Sequence, residues 1–267
     1  MTAPHPTAAV VDRLREATTR STAARLVHGA GRATVVAYRD DPDRSLHVLA
    51  HGLTAADVPV VALPADSLDP SRSCREVRLR IDRHGADPRT RVSVASLHAL
   101  AHLRIMDEGE TRAMSSLGLL PPEVDWPATS GAQVALLCLD RLLLHDQAGV
   151  TPMAFAEVVD PPCFPARAQE WLCRDAVEEL GAGRIGQILD EVVCGSREGL
   201  VGPGHPTPPS MSPVVGQRVL ADVDSTGCTW LEVGTASTRT VFVPFDASVR
   251  CLEDLQAALG SLAQPAV

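Results

Sequence analysis

Apolar residues recur along the chain with two different periods, and the change of period falls near residue 160. In REVRLRID (75–82), Val77, Leu79 and Ile81 alternate with Arg78, Arg80 and Asp82. Such alternation predicts a strand with one face in the core and one in water. ATVVAY (33–38) and SLHVLAH (45–51) read as a hairpin across DDPDR (40–44), and VPVVAL (58–63) as the next strand. In Thr90–Met106, Ala95, Leu97, Ala99, Ala101, Leu103 and Ile105 share one side, and Ser96, His98, Leu100, His102 and Arg104 the other. Its Ala and Leu also suit a helix. Strand is therefore the expectation for its first half, and the second half is open. Val134–His145 has few polar breaks and is expected to be one strand buried on both sides. Helical composition marks 7–28, stopped by Gly29 and Gly31, and 107–118, while PPEVDWPATSG (121–131) reads as a loop.

Past Pro161, Pro162 and Pro165 the order changes. AQEWLCRDAVEEL (168–180) and RIGQILDEVV (184–193) have apolar positions at helical spacing, each closed by a glycine. LVGPGHPTPPSMSPV (200–214) reads as loop from its Pro and Gly. Three short strands and a final amphipathic helix with Leu252, Leu255, Leu259 and Leu262 complete an ααβββα order. The fold class expected is mainly β with α+β. A strand-rich unit, read as a closed or split antiparallel barrel, spans 1–160 and a small ααβββα unit spans 161–267.

Composition narrows the chemistry. The chain of 267 residues is long enough for two such units. All 24 of its basic residues are arginine, and it has no lysine or asparagine. A lysine Schiff base, a lysine-dependent phosphate loop and a kinase-type lysine are excluded. A net charge of −9 argues against sequence-independent nucleic-acid binding. No apolar run reaches the roughly 18 residues of a membrane span. The first residues lack a basic stretch followed by an apolar one, so no signal peptide and a cytoplasmic location are expected. Seven scattered cysteines form no CxxC pair, which points to free thiols rather than a zinc knuckle. No GxSxG or dinucleotide-loop context is present.

The segments RVSVASLHALAHL, AQVALLCLDRLLLHDQAGVTPM, FPARAQEWL and RTVFVPFDASVRCLEDLQAALGSL, with the two-part order, resemble one family. It is the FMN-binding split-barrel superfamily, of which pyridoxamine-phosphate oxidase is the type. More narrowly, the chain looks like the haem-utilisation branch, whose barrel is followed by a small C-terminal domain of unknown function. The resemblance implies a homodimer with ligand sites between the barrels. It implies FMN held by basic and hydroxyl residues on barrel strands, or haem whose iron takes a histidine from a C-terminal loop. This sequence departs from both patterns: no histidine lies between His145 and His205, and no phosphate-binding cluster matches residue by residue.

Candidate cofactor-binding residues come from two places. Arg72, Arg75, Arg78, Arg80, Arg83, Arg89, Arg91 and Arg104 stand against three acids between 71 and 104. Of these, Arg78, Arg80, Arg91 and Arg104 are the candidates to face an FMN phosphate or haem propionates, which guanidinium groups bind in bidentate fashion. The alternative is a solvated sheet face or part of the dimer contact. His205, in GPGHPTPP, is the candidate iron ligand or, alternatively, an exposed linker residue. His98 and His102 would share a side of a helix, as metal sites need. On a strand they stand about 13 Å apart, too far for one metal. Three functions follow as expectations: binding of haem or a related tetrapyrrole, or a part in haem and iron handling; FMN-dependent oxidoreduction; or a non-enzymatic interaction or regulatory module that has lost its cofactor.

Overall fold

The computed structural model of the protein describes residues 8–69, 72, 74–88, 92–146, 149–159 and 163–264. Helix α1 (Ala8–Val27) is followed by strands β1 (Arg32–Val36), β2 (Leu46–His47), β3 (Ala50–Leu53), β4 (Pro59–Leu63), β5 (Cys74–His84) and β6 (Ser93–Ile105). Then come α2 (Glu108–Ser116), α3 (Pro122–Thr129), β7 (Gln133–Cys138), β8 (Arg141–Asp146), β9 (Gly149–Ala154) and α4 (Ala156–Val159). The last part holds α5 (Glu170–Glu178), α6 (Gly181–Val193), β10 (Leu200–Val201), β11 (His205–Pro206), β12 (Arg218–Val223), β13 (Gly227–Val233), β14 (Ser237–Pro244) and α7 (Leu252–Leu262). Every strand pairing is antiparallel. The fold is mixed rather than mainly β.

The first sheet closes into a ring. β5 is the alternating strand of the sequence, and β6 pairs with it from Cys74↔Arg104 to His84↔Ser93. The 90–106 segment is therefore extended throughout its described length, and pairing outweighs the helix propensity of its Ala and Leu. β5 continues to β1, and β6 to β7 and β4. Residues 46–53 complete the ring: β2 pairs with β1, β3 pairs with β4, and Val48 and Leu49 between them donate to Ala33 and Ala62. Val35, Val77, Leu79, Ile81, Leu97, Leu103, Leu137, Leu142 and Leu144 fill the interior with Ala23 and Leu26 of α1.

The expected single strand at 134–145 is instead two strands on one path along β6. His102 pairs with Cys138 and His98 with Leu143, so this path carries one extra residue around Leu139–Asp140. A bulge of this kind flips the alternation. Leu137 and Leu139 are buried before it, and Leu142 and Leu144 after it, while Leu143 is exposed. The first half is buried on both sides, with Ala135 and Leu137 in the interior and Val134 under α3, whereas β8 is buried on one side only. At the break the ring divides: β7 goes on to β4, whereas β8 pairs with β9.

Two further expectations are corrected. Residues 121–131 are not a loop: α3 starts with Pro122 in its first turn, a position where a missing N–H costs nothing. Its Val124 packs with Val60, Ala62 and Val134 on the outside of the β4–β7 edge. The proline-rich 200–214 segment contributes β10 and β11 to the second sheet, both paired with β14, and a 3₁₀ turn at Pro209–Val214. β12, β13 and β14 form the centre of that sheet. One of its faces carries α5, α6 and α7 through Cys173, Val177, Ile188, Leu189, Leu255 and Leu259. The other lies against Val92 and Val94 at the start of β6. The expected boundary at 160/161 lies outside the described residues. No helix among the described residues is long and apolar enough to cross a membrane.

Candidate functional site

Where the second sheet meets β6, a cleft of about 360 Å³ opens, lined by His145 and Asp146 of β8 and His205 of β11 among others. Its geometry follows from pairing. His205 is fixed opposite Thr238 on β14, and His145 opposite Ser96 on β6. Asp146 accepts a hydrogen bond from Thr19 Oγ1 of α1 at 3.1 Å. The imidazole of His145 lies 4.7 Å, centroid to centroid, from that of His98, tilted at 59°. Burial, then His145 and Arg80, hold the His98 ring below the usual histidine range. The structure thus brings together His205, from the proline-rich segment, and two barrel histidines that precede it by 60 residues or more.

From His98 the outer face of the barrel continues. Arg80 is directly opposite His98, and Arg78 opposite Leu100. Both arginines are exposed. Arg80 pairs with Asp82 at 2.9 Å, while Arg78 has no ion pair among the described residues. Leu100 is 66% exposed and Leu143, across from His98, is 43% exposed. This part of the outer face combines exposed leucines, the Arg78 guanidinium and two tilted imidazoles. Arg104 stands apart from it. It lies six residues along β6 from His98, about 20 Å, and its guanidinium binds Glu110 of α2 at 2.9 and 3.0 Å. Arg91 lies outside the described residues. His102 shares the side of His98 on a strand, so the two do not form a metal pair. Among the described residues no group of three or more His, Cys, Asp or Glu side chains is placed to hold a bare metal ion.

A second polar centre went unread in the sequence. Arg25 of α1 and Arg83 of β5, both buried, meet Asp222 of β12 and Glu170 of α5. Arg83 donates to Asp222 from Nε at 3.0 Å and from Nη2 at 2.6 Å, and to Glu170 at 2.9 Å. Arg25 donates to Asp222 at 2.8 Å and Glu170 at 3.0 Å. Burial alone would raise the Asp222 carboxyl, but the two guanidinium groups outweigh it and hold it at about 2. Burial also pushes the nearby Cys163 thiol up to about 11. The signal was there: Arg75, Val77, Leu79, Ile81 and Arg83 share one parity, and that parity is buried.

No family model matches the sequence, and no curated protein matches it. Among solved structures, the chain is similar to a heme binding protein from Mycobacterium smegmatis at 16% identity and a TM-score of 0.50, over 92% of this chain and 96% of that one. The chain shares its fold with that protein. Looser similarities reach a Clostridium acetobutylicum protein related to general stress protein 26, of the pyridoxinephosphate oxidase family. There the identity is 10% and the TM-score 0.33, over 55% of this chain and 97% of that one. A putative general stress protein 26 from Jannaschia sp. CCS1 follows at 9% identity and a TM-score of 0.31, over 62% and 90%. The resemblance read from the sequence therefore holds at the level of the fold.

Proposed function

We propose that the protein binds haem or a related tetrapyrrole on the outer barrel face and the adjoining cleft, as a homodimer. The observation that carries this reading is the cleft shared by His205 and His145, which continues through His98 onto the face bearing Arg78, Arg80 and Leu100. A tetrapyrrole is a flat apolar disc with anionic arms and a metal at its centre. Leu100 and Leu143 match the disc, Arg78 and Arg80 match the carboxylate arms, and His205 matches the iron. The face is open, so one copy leaves much of such a ligand in water. A second copy covering Leu100 and Leu143 would complete the site. The fold shared with a heme binding protein supports the same reading. Bound haem would supply iron for axial ligation and one-electron exchange. The chain's own part is to hold the iron through an imidazole, orient the carboxylates and exclude water.

Titration of the purified protein with hemin tests this. A Soret shift is expected, lost or strongly altered in His205→Ala and weakened in Arg78→Gln. No shift, or a shift indifferent to His205→Ala, removes the reading. The absorbance of the protein as purified, and after incubation with FMN, separates a flavoprotein from a haem protein and from a module with neither.

A further inference from the structure

The extra residue at Leu139–Asp140 also decides where His145 points. Had the register set by His102 and Cys138 continued, His145 would lie opposite Ala95, whose side chain is in the barrel interior. With the bulge, Leu143 faces His98 and His145 faces Ser96, so both imidazoles stand on the outer face as diagonal neighbours on β6 and β8. Bulges commonly re-aim a side chain in this way. Diagonal neighbours lie about 7–8 Å apart. Here the two rings lean together to 4.7 Å between centroids, with their planes 59° apart. An ion about 2.0–2.1 Å from one nitrogen of each ring, at a coordination angle of about 90–110°, holds two such centroids about 4.5–5.2 Å apart. Neither ring has a hydrogen-bond partner among the described residues. His145 is exposed and His98 partly so, which leaves their nitrogens open to a ligand from solvent.

We propose that His98 and His145 form a two-imidazole site for a divalent transition-metal ion of the nickel, copper or zinc type. Imidazole nitrogen suits these ions, whereas magnesium and calcium prefer oxygen. The surrounding charge is mixed. Arg80, opposite His98, is held by Asp82, which also accepts from Ser96. Arg78 lies one row farther along the sheet, and Asp146 follows His145. The two guanidinium groups and the two carboxylates offset one another, so the nitrogen donors decide which ions bind. With two protein ligands the remaining positions fall to water, which makes the site open and its ion exchangeable. The site adjoins the proposed haem face but does not rest on that reading, since His205 takes no part in it.

The test uses the full chain without hemin, titrated in a calorimeter with Ni²⁺, Zn²⁺ and Mg²⁺. Nickel and zinc are expected to bind at one ion per chain, and magnesium not at all. His98→Gln and His145→Gln should each weaken nickel at least about tenfold, the weight of one lost ligand. His102→Gln, which removes an exposed histidine of the same strand with no second ring beside it, should leave the affinity unchanged. With one equivalent of Cu²⁺, electron paramagnetic resonance should show two nitrogen ligands in the unaltered protein and one in either variant. Absence of nickel and zinc binding by the unaltered protein overturns the proposal. So does binding that His98→Gln or His145→Gln leaves unchanged, or that His102→Gln weakens as much. A failed nickel titration leaves the Soret titration standing, and the reverse, because the two are read separately.

Discussion

At the scale of single residues, arginines a few positions apart on one strand have opposite fates. Arg78 and Arg80 point to water, while Arg83 is buried against Asp222 and Glu170. Removing a carboxylate from a buried pair leaves uncompensated charge, which costs about 3–5 kcal/mol. Asp222→Asn is therefore expected to lose stability of that order, read by urea unfolding near neutral pH. The pH dependence has a definite sign. Asp222 titrates at about 2 when folded and at about 3.9 when unfolded. Its contribution is present above pH 4 or so and lost as pH falls through 2, and Asp222→Asn should show a flatter curve in that window. His51 acts in a higher window. Burial lowers its ring to about 4, and its Nε2–H donates to the Leu26 carbonyl at 2.8 Å. The unfolded ring takes up its proton near 6.5, so stability falls between pH 6.5 and 4. In His51→Gln, whose amide donates without titrating, that slope should disappear.

At the scale of elements, alternation located the strands and misread one. The bulge at Leu139–Asp140 shifts parity by one residue, which joins β7, covered on both faces, to the half-buried β8 in one unbroken apolar run. Composition hid α3 for a related reason. Pro122 sits where a helix can begin, but Pro127 lies inside it, and only the buried contact of Val124 makes the helix worthwhile. The junction after α1 is under tighter control. Gly31 has φ +83°, and a Cβ there would lie 2.6 Å from the Asp82 carbonyl oxygen. Gly31→Ala is expected to destabilise by more than about 1 kcal/mol, since the backbone conformation and the contact both oppose it. A lowered midpoint in denaturant with an unchanged slope would show it.

At the scale of the whole molecule, the Arg25–Arg83–Asp222–Glu170 cluster joins α1 and the barrel to the second sheet and α5. Ala86 adds a backbone bond to Ala221 across the same junction. With that cluster intact, the two parts are expected to unfold in one transition. Arg83→Met should split it into two, seen as non-coincident near- and far-ultraviolet dichroism. Association belongs to the same scale. Leu100 and Leu143 expose apolar surface on one face, and the proposed dimer is expected to give way to monomer in Leu100→Asp, read by sedimentation.

The sequence by itself determined where most strands and helices lie, the two-part order, and which chemistries its lysine-free composition excludes. It did so because period and composition are local properties, carried by residues a few positions apart. Its candidate residues met with different outcomes for a physical reason. The parity of β5 and β6 fixed which face Arg78, Arg80 and Arg104 occupy, yet parity says nothing of neighbours. Only pairing across the sheets decided that Arg104 is held by Glu110, that His205 shares a cleft with His145, and that Arg25 and Arg83 converge on Asp222. Those partners lie six to nearly two hundred positions apart, and their meeting depends on how the barrel ring closes and how the second sheet packs against β6.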